Sequence, residues 1–169
     1  MHQVALLIGG NQGDRHQLIA QATESIRQRI GSVVALSRLY ETEPWGDFEV
    51  ANGERRTANF LNRALLVDTP LTAHDVLREA LAIEADLGRV RNDGSPLSTQ
   101  KVPLRKYHSR PMDIDLIFFD HELIDTPDLT IPHPRMQLRR FVLEPLAEIM
   151  PDYVHPVLNK TVKQLLYEI

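Results

Sequence analysis

The chain has 169 residues, 43% of them hydrophobic, which suffices for one globular core and excludes an intrinsically disordered protein. It contains no cysteine, so disulfides, thiolate metal sites and a cysteine nucleophile are excluded. A net charge of −4 argues against a general nucleic-acid binder; with no basic n-region at the start and no run of membrane-spanning length, a cytoplasmic protein is expected.

Val4 to Ile8 reads as a short buried strand ending in the turn cluster Gly9-Gly10-Asn11-Gln12-Gly13-Asp14. The glycines lack the Lys-Ser/Thr of a phosphate loop, so a tight strand-to-helix turn is the better reading. Asp14 is placed to cap a helix with Leu18, Ile19, Ala22, Ile26 and Ile30 on its apolar face. Val33 to Tyr40 and Asn59 to Val67 read as strands, separated by a long polar connection over 43–58. Thr72 opens a second helix with Asp75 at the capping-box position, Val76, Leu77, Ala80, Leu81, Ile83 and Leu87 as core contacts, and Gly88 as its stop. An irregular stretch runs from Arg89 to Tyr107, and a strand follows from Asp113. Asp120-His121-Glu122 reads as a turn into a short strand around Leu123-Ile124, and Leu129 to Pro132 is extended. Phe141 to Ile149 reads as a helix, and a last helix begins at Thr161, where Gln164 completes a capping box. The expected fold is α+β, one domain over 1–169, with helices on one or both faces of a central, mostly antiparallel sheet. Three long loops, near 43–58, 89–109 and 125–141, are expected to close over a ligand from one edge.

Arg110-Pro111-Met112-Asp113-Ile114-Asp115-Leu116-Ile117-Phe118-Phe119 is the most informative segment. Strand side chains alternate faces, so Asp113 and Asp115 project from the same side, close enough to share a cation. Two buried like charges need compensation by cations or arginines. Mg²⁺ suits hard carboxylate oxygens and keeps positions open for water and phosphate. Arg110 supplies a planar fork for phosphate oxygens. Lys and Arg also concentrate between Arg89 and Arg140, as a site for a small polyanion requires. The bland alternative is a strand edge with two solvated acids; the apolar run behind them favours a site.

Other segments join this one in order. They are Tyr40-Glu41-Thr42-Glu43-Pro44-Trp45-Gly46, Asn59-Phe60-Leu61-Asn62, Glu84-Ala85-Asp86-Leu87-Gly88-Arg89-Val90-Arg91, Ile131-Pro132-His133-Pro134-Arg135-Met136 and Arg139-Arg140-Phe141-Val142-Leu143-Glu144-Pro145-Leu146. Together they resemble the 6-hydroxymethyl-7,8-dihydropterin pyrophosphokinase family of folate biosynthesis, over nearly the whole chain. The resemblance implies a ferredoxin-like βαββαβ core and transfer of pyrophosphate from ATP to the pterin's hydroxymethyl oxygen, with release of AMP. It implies that Asp113 and Asp115 hold two Mg²⁺ ions, and that Arg89, Arg91, Arg110 and Arg139 surround the phosphates. Of these, Arg89 and Arg110 join the aspartates as expected catalytic residues. His133 matches a family histidine at the phosphates or nucleotide, Glu84 a glutamate near the nucleotide, and Tyr107 a position that covers it. On the pterin side, Phe60 and Phe141 would sandwich the heterocycle, Asn62 would meet its amide-like edge, and backbone groups around Thr42, Pro44 and Trp45 would complete recognition.

The family pattern carries a Trp and a small residue where this chain has Tyr107 and His108, and often a Tyr where it has Pro134. No side chain stands out as a general base; positioning and electrostatics suffice for such a transfer. His2, His16, His74, His121 and His155 show no metal-ligand spacing. Phe60 and Phe141 also suit an ordinary core, and Arg89 and Arg91 suit a helix C-terminus. The expected partners are ATP and the pterin alone, bound by a monomer, with no membrane and no nucleic acid. The competing functions are another Mg²⁺-dependent phosphotransferase and a non-catalytic pterin- or nucleotide-binding relative.

Overall fold

In the computed structural model, which describes residues 1–42, 59–89 and 111–169, the organising element is β1 (His2–Gly10), buried from Val4 to Gly10. It is buried on both sides because its side chains alternate between two cores. Val4, Leu6 and Ile8 enter one, and Ala5 and Leu7 the other. Its neighbours are β4 (Phe60–Thr69) and β5 (Asp113–Phe119), both antiparallel to it. The described strands run in the order β2-β4-β1-β5, with β2 (Ser32–Leu36) at one edge and β3 (Tyr40–Thr42) paired with the far part of β4. Helix α1 (Arg15–Arg29) joins β1 to β2, and α2 (Ala73–Arg89) joins β4 to β5. This order is the ferredoxin-like βαββαβ arrangement that the resemblance implied.

The two helices cover one face. Ile19, Ala22 and Ile26 of α1 and Val76, Ala80, Ile83 and Leu87 of α2 pack on the outward row of β1, β4 and β5. Asp14 caps α1 as expected, its carboxylate accepting from Gln17 N at 3.2 Å. On the opposite face, α3 (Arg140–Ile149) and α4 (Val162–Tyr167) seat Val142, Leu143, Leu146, Val162 and Leu165 against Ala5, Leu7, Ala64, Ile117 and Phe118. The capping box of α4 is complete, with Thr161 Oγ1 taking Gln164 N and Gln164 Oε1 taking Thr161 N. Glu148 ties α3 to the sheet, accepting from Tyr40 Oη at 2.8 Å and from Arg38 N at 3.2 Å.

Four expectations change. Val33–Tyr40 is two strands, because at Ser37, whose N–H still donates to Ala64 O (3.0 Å), the hydroxyl rather than the carbonyl takes the Ala64 N–H (2.9 Å) while donating to Arg38 O (2.7 Å), which ends the regular ladder. The partners then slip by one residue, from Leu36↔Leu65 to Tyr40↔Asn62. Leu81 is 53% exposed; the buried stripe of α2 runs through 76, 80, 83 and 87, and position 81 lies a hundred degrees beyond 80. The carboxylate of Asp75 pairs forward with Arg78 (2.6 Å), while Thr72 Oγ1 accepts from Asp75 N. The stretch 125–141 is no open loop: β6 (Ile124–Thr126) and β7 (Leu129–Ile131) form a hairpin, and a 3₁₀ turn covers Met136–Leu138. Leu129, Ile131 and Met136 are buried, which is why it folds back on the core. The loop expectations over 43–58 and 90–109 lie outside the described residues.

Candidate active site

The register of three strands builds the site. Gly9 lies opposite Asn62 on one side and opposite Asp113 on the other, and Leu7 lies opposite Ala64 and Asp115. Cross-strand partners share a face, so Asn62, Asp113 and Asp115 all project from the α3 side of the sheet, at the C-terminal end of β1. Ile114 and Leu116 point into the opposite core, which fixes the orientation of the aspartates between them. A bulge then inserts Ile117, letting Ile117 and Phe118 both face α3. Both aspartates are half-buried, with Cα atoms about 7 Å apart along a strand.

Asn62 is buried and donates through Nδ2 to Thr42 Oγ1 at 3.1 Å. Thr42 pairs with Phe60, and Phe60 shares the face of Asn62 two residues on. Gly9 leaves room for this arrangement. A Cβ there would stand 2.4 Å from Asn62 Oδ1 and 2.6 Å from Leu61 O. The sequence reading gave Gly9 and Asn11 to a turn; Gly9 is instead a strand residue at the centre of the site, and Asn11 is buried just past it.

His133 follows β7 across the cis Ile131–Pro132 peptide, and its N–H donates to Ile117 O at 3.0 Å, bringing it beside β5. Burial, with Arg139 and Arg135 nearby, lowers its pKa from 6.5 to about 4. It is neutral at pH 7. Its Nδ1 takes the Arg135 N–H at 3.2 Å, so Nδ1 is the acceptor and Nε2 carries the proton. The ring therefore offers a neutral N–H donor. Arg139 precedes α3 in an extended conformation, with its guanidinium 5.7 Å from the centre of the Phe141 ring. Phe141 is half-buried on the first turn of α3.

Glu84, on the α2 turn facing β5, accepts from Ile114 N at 2.7 Å. Thr42, Phe60, Asn62, Asp113 and Asp115 thus lie at this end of the sheet, Glu84 reaches it through Ile114, His133 borders β5 further along at Ile117, and Arg139 and Phe141 stand at the start of α3, which packs on β3 and β4. Arg89 closes α2, but its side chain, with Pro44, Trp45, Arg91, Tyr107 and Arg110, lies outside the described residues.

The donor set fits Mg²⁺. Two carboxylates on one face supply hard oxygens, and among the described residues no third His, Asp or Glu joins them in a common cluster, leaving positions for water and phosphate. The spacing of the histidines hid one other grouping. His2, Asp120 and Glu122 bring their ligand atoms within 4.8 Å of one another. It lies at the opposite end of β1, about 23 Å along the strand from Gly9. There His2 Nδ1 and Gln3 N already hold the Asp120 carboxylate, at 2.7 and 2.8 Å, in a bridge between chain start and β5–β6 turn.

Residues 5–151 match the family model described as 7,8-dihydro-6-hydroxymethylpterin-pyrophosphokinase. A 2-amino-4-hydroxy-6-hydroxymethyldihydropteridine pyrophosphokinase of Porphyromonas gingivalis is 40% identical over 154 residues, 90% of this chain and 93% of the relative. Its namesake from Methylorubrum extorquens is 37% identical over 167 residues, 98% of this chain and 92% of the relative. Among solved structures, wild-type HPPK-DHPS of Plasmodium falciparum with pteroate superposes with a TM-score of 0.69 at 16% identity, covering 99% of this chain and 44% of that one. That likeness speaks for the fold, and this chain spans less than half of the solved protein. The family match and the two bacterial relatives settle the affiliation: the chain belongs to the 7,8-dihydro-6-hydroxymethylpterin-pyrophosphokinase family.

Proposed function

We propose that this chain transfers the terminal pyrophosphoryl group of ATP to the hydroxymethyl oxygen of 6-hydroxymethyl-7,8-dihydropterin, releasing AMP, as a cytoplasmic monomer in folate biosynthesis. The observation that supports this reading is the register Asn62–Gly9–Asp113, which sets the Asn62 amide and the Asp113 carboxylate one strand either side of a glycine. A pterin held at Asn62 lies next to a triphosphate held at the aspartates. That proximity turns a two-substrate transfer into an effectively intramolecular one.

Asn62 presents an acceptor and a donor to the pterin's amide-like edge, with Thr42 fixing its rotamer. Phe60 and Phe141 stack on the ring faces, and Pro44 and Trp45 complete the pocket. Asp113 and Asp115 would hold two Mg²⁺ ions, which would supply charge neutralisation and orientation to the triphosphate. Arg89, Arg91, Arg110 and Arg139 stabilise charge on the transferred group and on leaving AMP, while Tyr107 borders the nucleotide. His133 donates from Nε2 to a phosphate oxygen without adding a positive charge. No described helix is long and apolar enough to cross a membrane.

The test is product analysis with MgATP, with and without the pterin. AMP formed only when the pterin is present, and abolished in Asp115→Ala, is the expected result. ADP as product, no turnover by folded protein, or full turnover by Asp115→Ala at ordinary Mg²⁺ would overturn the proposal.

A further inference from the structure

We infer that Glu84 is a positioning residue for the metal-binding pair, acting through the backbone of β5 rather than by touching nucleotide or metal. The inference rests on the reading of Asp113 and Asp115 as the Mg²⁺ ligands. Among the described strands β5 pairs only with β1, so its other side is a sheet edge. An edge strand presents unpaired N–H groups and frays more readily than a central one. Ile114 is the residue between the two aspartates, and its N–H donates to Glu84 Oε2 at 2.7 Å. The acceptor is a carboxylate and the bond is partly shielded from water, both of which strengthen it over an ordinary amide bond.

The bond holds the peptide that links Asp113 to Ile114. The Ile114 side chain is buried in the core under α1 and α2, which fixes the same residue from a second direction. Met112, immediately before the pair, is also buried there. Glu84 itself is held on a helix whose Val76, Ala80, Ile83 and Leu87 are packed in that core. The two aspartates thus project from a strand segment clamped to a rigid helix at the first of the two peptides between them. A site needs its ligands held to within about half an ångström, and supporting hydrogen bonds supply that precision.

The first measurement needs no variant. In the ¹⁵N-labelled wild-type protein the Ile114 amide is expected to exchange slowly and to lie downfield, although no described strand pairs with it on that side. Exchange at the rate of an exposed amide would overturn the inference. The second measurement compares Glu84→Ala with Glu84→Gln, which keeps an oxygen acceptor but no charge. Mn²⁺ binding is followed by electron paramagnetic resonance with a non-hydrolysable ATP analogue, and the Mg²⁺ dependence of AMP formation is followed alongside. Glu84→Ala is expected to raise the Mn²⁺ dissociation constant and the half-maximal Mg²⁺ concentration about tenfold, with pterin affinity unchanged. Glu84→Gln is expected to stay within about threefold of wild type on both readouts, since an acceptor for Ile114 remains. Equal damage in both variants with an unmoved Ile114 amide would make Glu84 a direct ligand; wild-type metal dependence in Glu84→Ala would make the bond irrelevant to the site. Wild-type protein that makes no AMP would instead remove the proposed function, and the Ile114 exchange rate would still decide whether the clamp exists.

Discussion

Gly9→Ala is the substitution that most directly tests how the sheet makes the site. The backbone at Gly9 is ordinary strand, so the demand for glycine comes from space alone. The added Cβ would meet Asn62 Oδ1 at 2.4 Å and Leu61 O at 2.6 Å, both inside the distance real Cβ atoms keep. The Asn62 amide can swing away; the Leu61 carbonyl belongs to the β1–β4 pairing and cannot move without shifting that strand. Overpacking of this kind costs about 1–3 kcal/mol. Rotating Asn62 also gives up its bond to Thr42 Oγ1, worth about 1 kcal/mol. The expected loss is about 2–4 kcal/mol, read by urea unfolding, or about 2–4 °C in Tm for each kcal/mol in a chain of this length. Because the displaced group is the proposed pterin-recognising amide, pterin affinity measured by calorimetry should fall about 10–100-fold, the equivalent of two lost hydrogen bonds. Gly31→Ala is the control. Its Cβ would stand 2.0 Å from Asp68 O, a still closer backbone clash. Asp68 lies six residues from Asn62 along β4, about 20 Å away, so Gly31→Ala should destabilise at least as much while leaving pterin affinity unchanged. A Gly9→Ala protein with wild-type pterin affinity, or with stability within about 0.5 kcal/mol of wild type, would refute the reasoning.

Two further outcomes follow from the geometry. His133 has a folded pKa of about 4, below its ordinary 6.5, so the unfolded chain binds the extra proton and stability falls as pH drops from 6.5 toward 4. His133→Gln should flatten that part of the curve in urea unfolding at pH 7, 6 and 5; an unchanged slope would contradict a buried neutral ring. Glu148→Ala removes the acceptor of Tyr40 Oη and Arg38 N and should cost about 1–3 kcal/mol by the same assay, with a smaller loss in Glu148→Gln, which keeps one acceptor oxygen. A neutral result for Glu148→Ala would mean that β3 is held to α3 by apolar packing alone.

The paired aspartates were legible because a strand's period of two is printed directly in Asp113-Ile114-Asp115-Leu116, and the structure places Ile114 and Leu116 in the core behind them. The helix starts at Asp14 and Thr161 were legible for a similar reason: a cap acts over three residues. What the sequence did not print is what depends on pairing across the sheet. Val33–Tyr40 has the composition of one strand, and only the Ser37 hydroxyl's contact with Ala64, distant in sequence, splits it in two. Leu81 is apolar like its neighbours, and its exposure follows from the angular position of one residue on α2.

The site repeats this lesson at its centre. Residues 9, 62 and 113 are far apart in the chain and become lateral neighbours through two antiparallel registers. Beside Gly10, Gly9 looks like half of a turn, because nothing local reveals that a side chain there would fall on Asn62 Oδ1. Glu84 was visible as a residue of the right family segment, yet its bond to Ile114 N joins a helix to a strand thirty residues on. Local patterns therefore name the groups proposed to meet substrate and metal, whereas register and edge contacts determine whether those groups converge. It follows that substitutions at Gly9 and Glu84, neither of them assigned any chemistry in the transfer, should impair the site by moving the residues that carry it.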